Sequence, residues 1–190
     1  MAAQRVYALT AIIGSLLFLY SAFAITSVTP IYMEKTEQGR IEILKAHPTA
    51  WMVHTTLFAL GTTLTAIGMG LLALQWWTRH ASWYLMGGAL LLLAGMILMD
   101  WHLGYRFFDP MSFATGTIPV WLFAGYSLLT MVGLVLFGYA FFDIGLPSWL
   151  GWMHIIGMGV LLILALVFRD MPPFVYYLFT LVAGIVIFRT

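Results

Sequence analysis

The 190-residue chain contains no cysteine. That excludes disulfides, thiolate zinc sites, Cys-ligated iron–sulfur clusters and cysteine nucleophiles together. Charge is scarce as well. Eight Lys/Arg and seven Asp/Glu make up 8% of the residues, against about 25% in a soluble domain. So few charges do not cover a soluble surface of this size, which sets aside the soluble, secreted and disordered classes. A net charge of +1 leaves no basic patch for nucleic acid and no acidic tail. The long apolar runs hold no lysine, which removes a retinal Schiff base, and the sequence has no HExxH, GxSxG or P-loop motif.

What is abundant is apolar: 63% of residues are hydrophobic and 16% aromatic. A helix needs about 20 apolar residues to cross the hydrocarbon core. Six segments meet that length approximately: 6–28, 50–76, 82–104, 118–142, 148–168 and 172–188. Lipid offers no partners to backbone groups, so such runs form helices or a closed barrel. These are continuous rather than alternating, and too long for barrel strands. The expected fold is therefore all-α, a single polytopic membrane domain over 1–190, with six transmembrane helices. The first run ends at Ser21-Ala22-Phe23-Ala24 and resembles a secretory signal with a small-residue cleavage site. Its length suits a retained first helix.

Turn residues mark the gaps: Thr78-Arg79-His80, Asp109-Pro110, Gly145-Leu146-Pro147 and Asp170-Met171-Pro172. Pro172-Pro173 suits the start of the last helix. Trp76, Trp77, Trp83, Tyr84, Trp149 and Trp152 are expected in one aromatic belt, and Trp51, Trp101, Tyr105, Trp121, Tyr176 and Tyr177 in the other. The one sizeable polar connection, 29–48, predicts a short interfacial helix from about Met33. Glu37–Arg40 and Glu42–Lys45 stand at i,i+3 spacing there, and Ile41 and Leu44 share an apolar stripe. Counting Lys and Arg alone places that loop inside. The first helix, with Arg5 beside it, argues for cytoplasmic termini, and the first helix usually dominates.

Five histidines occur. His47 and His80 lie in connections, whereas His54, His102 and His154 fall in or at the ends of spans, where ionisable groups are costly and mark function. His54, Gly61 and Gly68 recur every seven residues, as do Gly88, Gly95 and His102. Seven residues turn a helix by about 700°, which keeps such positions on one face to within about 20°. A hairpin folded near 78–81 brings His54 and His102 to one membrane level with the glycines behind them.

Two readings of this seam stand side by side. In the first, the glycines let the two helices pack closely, and the histidines satisfy a carbonyl, Asp100 or water. In the second, the glycines clear space for a flat macrocycle, and His54, His102 or His154 ligates the iron of a haem or the metal of another tetrapyrrole. Close packing of the hairpin leaves no room for a macrocycle between His54 and His102, and His154 falls in the opposite leaflet. A single-histidine pigment site, or a small metal between His54, His102 and Asp100, avoids that conflict. Asp100 is the one carboxylate inside a predicted span, and its expected partner is Arg106 or a residue on another helix.

The stretch His47-Pro48-Thr49-Ala50-Trp51, leading into a Gly/Leu-rich span and a second Gly-rich span, resembles small polytopic membrane proteins of bacteria that have no assigned function. The likeness covers mainly 45–105. It implies a bacterial inner (plasma) membrane setting and carries over no activity or site. The sequence thus points first to an accessory or scaffold-like membrane subunit that contacts the lipid bilayer and other membrane subunits. Its alternatives are a small transporter or channel built on Asp100, His102, His54 and Thr65, and a membrane enzyme acting on a lipid or quinone. A sealed, glycine-packed interior favours the first, and a polar cleft open to one leaflet the last.

Overall fold

The computed structural model describes residues 2–80, 82–168 and 173–190, with the side chains of all of these except 78–80 and 168. Thr78-Arg79-His80, expected to mark a gap, form the last residues of α3 instead, because the helix continues past Trp77. The expectations for their side chains, for Arg169 and for the Asp170-Met171-Pro172 connection lie outside what is described. The fold is all-helical at 88% helix, with no strand among the described residues. In chain order the elements are α1 (Ala2–Ala24), a 3-10 turn (Thr29–Tyr32), α2 (Glu37–Ala46), α3 (Pro48–His80), α4 (Trp83–Phe108), α5 (Pro110–Ala114), α6 (Val120–Asp143), α7 (Ser148–Phe168) and α8 (Phe174–Arg189).

Five of these helices, α1, α3, α4, α6 and α7, are long and apolar enough to cross a membrane. The chain therefore has the build of a membrane protein. The sixth predicted span is the shorter apolar helix α8, 16 residues long. At 1.5 Å per residue it reaches about 24 Å, against a hydrocarbon core of about 30 Å.

Local chemistry sets the boundaries. Thr29 Oγ1 donates back to the Ile25 carbonyl at 2.7 Å just after α1, and Pro30 opens the 3-10 turn. The interfacial helix starts at Glu37 rather than Met33 because Thr36 caps it, its Oγ1 accepting from Gly39 N at 3.1 Å. Arg40 does not engage Glu37. It donates instead to the carbonyls of Ala114 (2.7 Å) and Glu34 (3.4 Å). Pro48 occupies the first position of α3, where its missing N–H costs nothing. At the end of α6, Leu146 N bonds Phe141 O and Gly145 N bonds Phe142 O, with Gly145 at φ +73°. This is the left-handed glycine stop that Gly145-Leu146-Pro147 announced.

The helices pack in the order α8–α1–α3–α4–α6–α7, each against the next. Contact between α7 and α8 closes the ring. The glycines of the expected seam do mark close approaches, but not to one another. A Cβ on Gly61 would lie 2.7 Å from Phe18 N, and one on Gly68 2.5 Å from Ala11 N, both on α1. A Cβ on Gly88 would meet Phe137 and the Gly133 carbonyl, and one on Gly95 would meet Thr130, all on α6. The α3–α4 seam is corrected accordingly. Each stripe lets its own helix approach an outer neighbour: Gly61 and Gly68 the backbone of α1, Gly88 and Gly95 the side chains and carbonyls of α6.

Opposite the chain termini, the 3-10 turn, α2 and α5 form a cap with its own small core of Val28, Ile31, Leu44, Trp51 and Ala114, flanked by Ile41 and Phe113. The termini meet at the other end, where Gln4 Nε2 donates to Ile187 O at 3.2 Å. The aromatic belts need a correction as well. Trp83, Tyr84, Trp149 and Trp152 are exposed at one end, and Trp101, Tyr105 and Trp121 at the other. Trp51, Trp76, Tyr176 and Tyr177 are buried, because each turns into the bundle or under the cap.

Candidate functional site

A hydrogen-bonded chain of side chains lies where the cap meets the ends of α1, α3 and α4. Arg106, in the last turn of α4, donates through Nη2 to the Tyr32 hydroxyl oxygen. A guanidinium only donates, so the Tyr32 proton is free for His54 Nε2, 2.8 Å away. In the neutral ring this makes Nε2 the acceptor and leaves the proton on Nδ1, which faces the Ser21 carbonyl at 3.0 Å and Ser21 Oγ at 2.9 Å. Ser21 Oγ in turn donates to the His54 carbonyl at 2.9 Å. Cap, α4, α3 and α1 are thus joined by one directional series.

Arg106 is only 3% exposed. Its guanidinium carbon lies 4.6 Å from the Trp51 ring centre, 4.7 Å from Phe113 and 5.4 Å from both Tyr32 and Phe58. Trp51 Nε1 also donates to the Arg106 carbonyl at 2.8 Å. Ring faces and the negative end of a helix both favour a cation. Among the described residues, however, no carboxylate forms an ion pair with Arg106, and its Nε has no hydrogen-bond partner.

The three intramembrane histidines stand at three different interfaces. Both nitrogens of His54 are engaged by Ser21 and Tyr32, which leaves no lone pair for a metal. His102 turns toward Phe123 of α6, with Nδ1 buried and unpartnered. His154 sits on α7, its Nδ1 2.9 Å from the Leu150 carbonyl and its ring edge-on to Phe141 and Phe179. His154 Nε2 has no partner. Among the described residues no group of three His, Asp or Glu side chains is placed to hold a metal ion, so the His54–His102–Asp100 metal set is not assembled. Asp100 meets Thr63 of α3 rather than Arg106: Thr63 Oγ1 donates to its Oδ2 at 2.9 Å, and Oδ1 is buried without a partner.

Farther inside, a cavity of about 20 Å3 lies between Thr65, Ala66, Leu92, Met96, Tyr126 and Tyr177, with almost wholly apolar walls because the hydroxyls around it bond to one another. Tyr177 Oη lies 2.9 Å from Thr62 Oγ1 and 3.0 Å from Tyr126 Oη, and Ser15 Oγ lies 2.8 Å from Thr180 Oγ1. Thr65 belongs to this lining, not to a cluster with Asp100 and the histidines.

Sequence reasoning passed over Tyr32, met Ser21 only in the signal-like run, and offered Arg106 only as a partner for Asp100. The third span was expected to stop at 104, which left Arg106 outside it. The available signal was the four-residue step from His102 to Arg106, which places both on one helix face. Compared with protein-family models, curated proteins and solved structures, the chain has no match in any of the three.

Proposed function

We propose that the chain is an accessory, scaffold-like integral subunit of a bacterial inner membrane. It crosses six times, with both termini cytoplasmic, and works by packing against lipid and other membrane subunits. The supporting observation is the manner in which the interior is closed. Gly61 and Gly68 meet α1 backbone, Gly88 meets Gly133, and Gly138 meets the Gly151 carbonyl, so helices touch main chain to main chain. The apolar-walled cavity inside the bundle measures only about 20 Å3. The six-span form is supported by α8 running beside α1 from Phe23–Phe174 to Gln4–Ile187. Native electrophoresis of mildly extracted membranes tests the subunit role. Migration in a particle well above the size of the purified chain is expected. Identical mobility before and after purification overturns it.

A second reading gives this subunit a tetrapyrrole held at His102, the half-buried histidine whose Nδ1 has no partner. Oxidised and dithionite-reduced optical spectra test it. A Soret band lost in His102→Ala supports that ligation, and a colourless preparation after haem supplementation removes it.

A further inference from the structure

The buried guanidinium of Arg106 sets a problem that its aromatic surroundings do not solve. A charge removed from water is tolerated when it is paired and its remaining hydrogen-bonding positions are filled. Arg106 is 97% withdrawn from solvent in this sense, at 3% exposure, yet no described carboxylate pairs with it and its Nε–H points at no acceptor. One turn earlier on the same face of α4, His102 carries a second buried nitrogen without a partner, Nδ1. Two unpartnered nitrogens, one of them on a permanent cation, lie one helical turn apart near the cap end of a spanning helix.

We propose that Arg106 Nε and His102 Nδ1 form an oxyanion site that takes a phosphate oxygen. A water molecule would fill the hydrogen-bonding positions but leave the charge uncompensated, whereas a phosphate group does both. Arg106 lies two residues before the end of α4 at Phe108, the depth at which a spanning helix meets lipid headgroups. The phosphate is therefore that of a membrane phosphodiester. Tyr32 covers the guanidinium from the cap side while itself remaining 43% exposed, so access runs past Tyr32 and occupancy loosens its bond to Arg106. The site stands apart from the accessory-subunit reading and holds whether or not the chain has protein partners.

Thermal unfolding of the purified full chain in detergent tests the site with three probes: dioleoylphosphatidylglycerol, dioleoylglycerol with the same tails and no phosphate, and inorganic phosphate. Phosphatidylglycerol is expected to raise the midpoint by roughly 3 °C or more, as binding to the folded state does, and dioleoylglycerol to leave it unchanged. A matching rise with inorganic phosphate keeps the oxyanion site and assigns it to free anion rather than lipid. His102→Ala, at the half-buried edge, is expected to fold and lose the shift, and Arg106→Lys to reduce it. Equal shifts from phosphatidylglycerol and dioleoylglycerol, no shift from any probe, or a full response in His102→Ala overturns the proposal.

Discussion

Tyr32 Oη and His54 Nε2 lie 2.8 Å apart across 22 residues of sequence. Through this contact the polar connection after the first helix is tied to the interior of the second spanning helix. The same oxygen accepts from Arg106, so one phenol holds a cation on one side and a neutral imidazole on the other. Tyr32→Phe deletes the acceptor and the donor together. Each buried polar group left unpaired costs about 1–3 kcal/mol. The variant is expected to unfold in detergent several degrees below the parent chain when followed by tryptophan fluorescence. An unchanged midpoint would show that the cap is held by its apolar core alone.

The glycines separate into two kinds with opposite expectations. A Cβ on Gly68 would sit 2.5 Å from Ala11 N and 2.8 Å from Tyr7 O, backbone atoms that cannot step aside. Gly68→Ala is expected to destabilise by about 1–3 kcal/mol, the usual cost of overpacking. A Cβ on Gly159 meets nothing within 4 Å, so Gly159→Ala is expected to gain roughly 0.5–1 kcal/mol from reduced chain entropy. Paired thermal melts read both signs, and equal effects at the two positions would contradict the helix contacts described above.

Absence of cysteine makes a cross-linking test clean. Gln4 Nε2 lies 3.3 Å from Thr190 Oγ1. A Gln4→Cys, Thr190→Cys chain is expected to close intramolecularly with a short bifunctional thiol reagent, giving a faster band on denaturing gels. Both thiols should label from the cytoplasmic face. Labelling from opposite faces would remove the sixth crossing.

The cap carries a pH dependence of known sign. Thr36 donates to Glu34 Oε1 through Oγ1 at 2.6 Å and through its backbone N at 2.8 Å, and these hydrogen bonds hold the Glu34 carboxyl below the ordinary carboxylate range. A carboxyl whose pKa is lowered in the folded chain stabilises the cap at and above the ordinary range, and that contribution is lost as pH falls through the lowered value. The Thr36 amide resonance is expected to titrate with Glu34 in acid and to stay fixed in Glu34→Gln. Identical acid titrations in the two chains would contradict the assignment.

Much of the fold was legible because its signals are long-range averages. Hydropathy located α1, α3, α4, α6 and α7, and Gly145 and Pro48 marked ends whose chemistry is local. The short helix α2 was legible from its charge spacing, although Thr36 and Glu34 shifted its start. Partner choice was not legible. A seven-residue glycine spacing shows that one face approaches something closely, but it does not distinguish α1 or α6 from the hairpin partner. The polar cluster was hidden for a related reason. His54 stood out as an intramembrane imidazole, but its partners Ser21 and Tyr32 come from the end of another span and from a loop. Arg106 looked like an ordinary flanking charge because only the cap, whose packing no periodicity encodes, pulls it out of water. Trp51 and Tyr177 were assigned to an aromatic belt on the interface preference of their side chains, and their burial depends on the same tertiary contacts.

The central claim is that the bundle is closed and acts by packing rather than by conducting. Its most direct test is proton leak into pyranine-loaded vesicles reconstituted with the purified chain. The account predicts the leak of protein-free vesicles at every protein-to-lipid ratio. A leak that rises with that ratio and is abolished by Asp100→Asn would contradict it and make the Asp100–Thr63 pair part of a pathway.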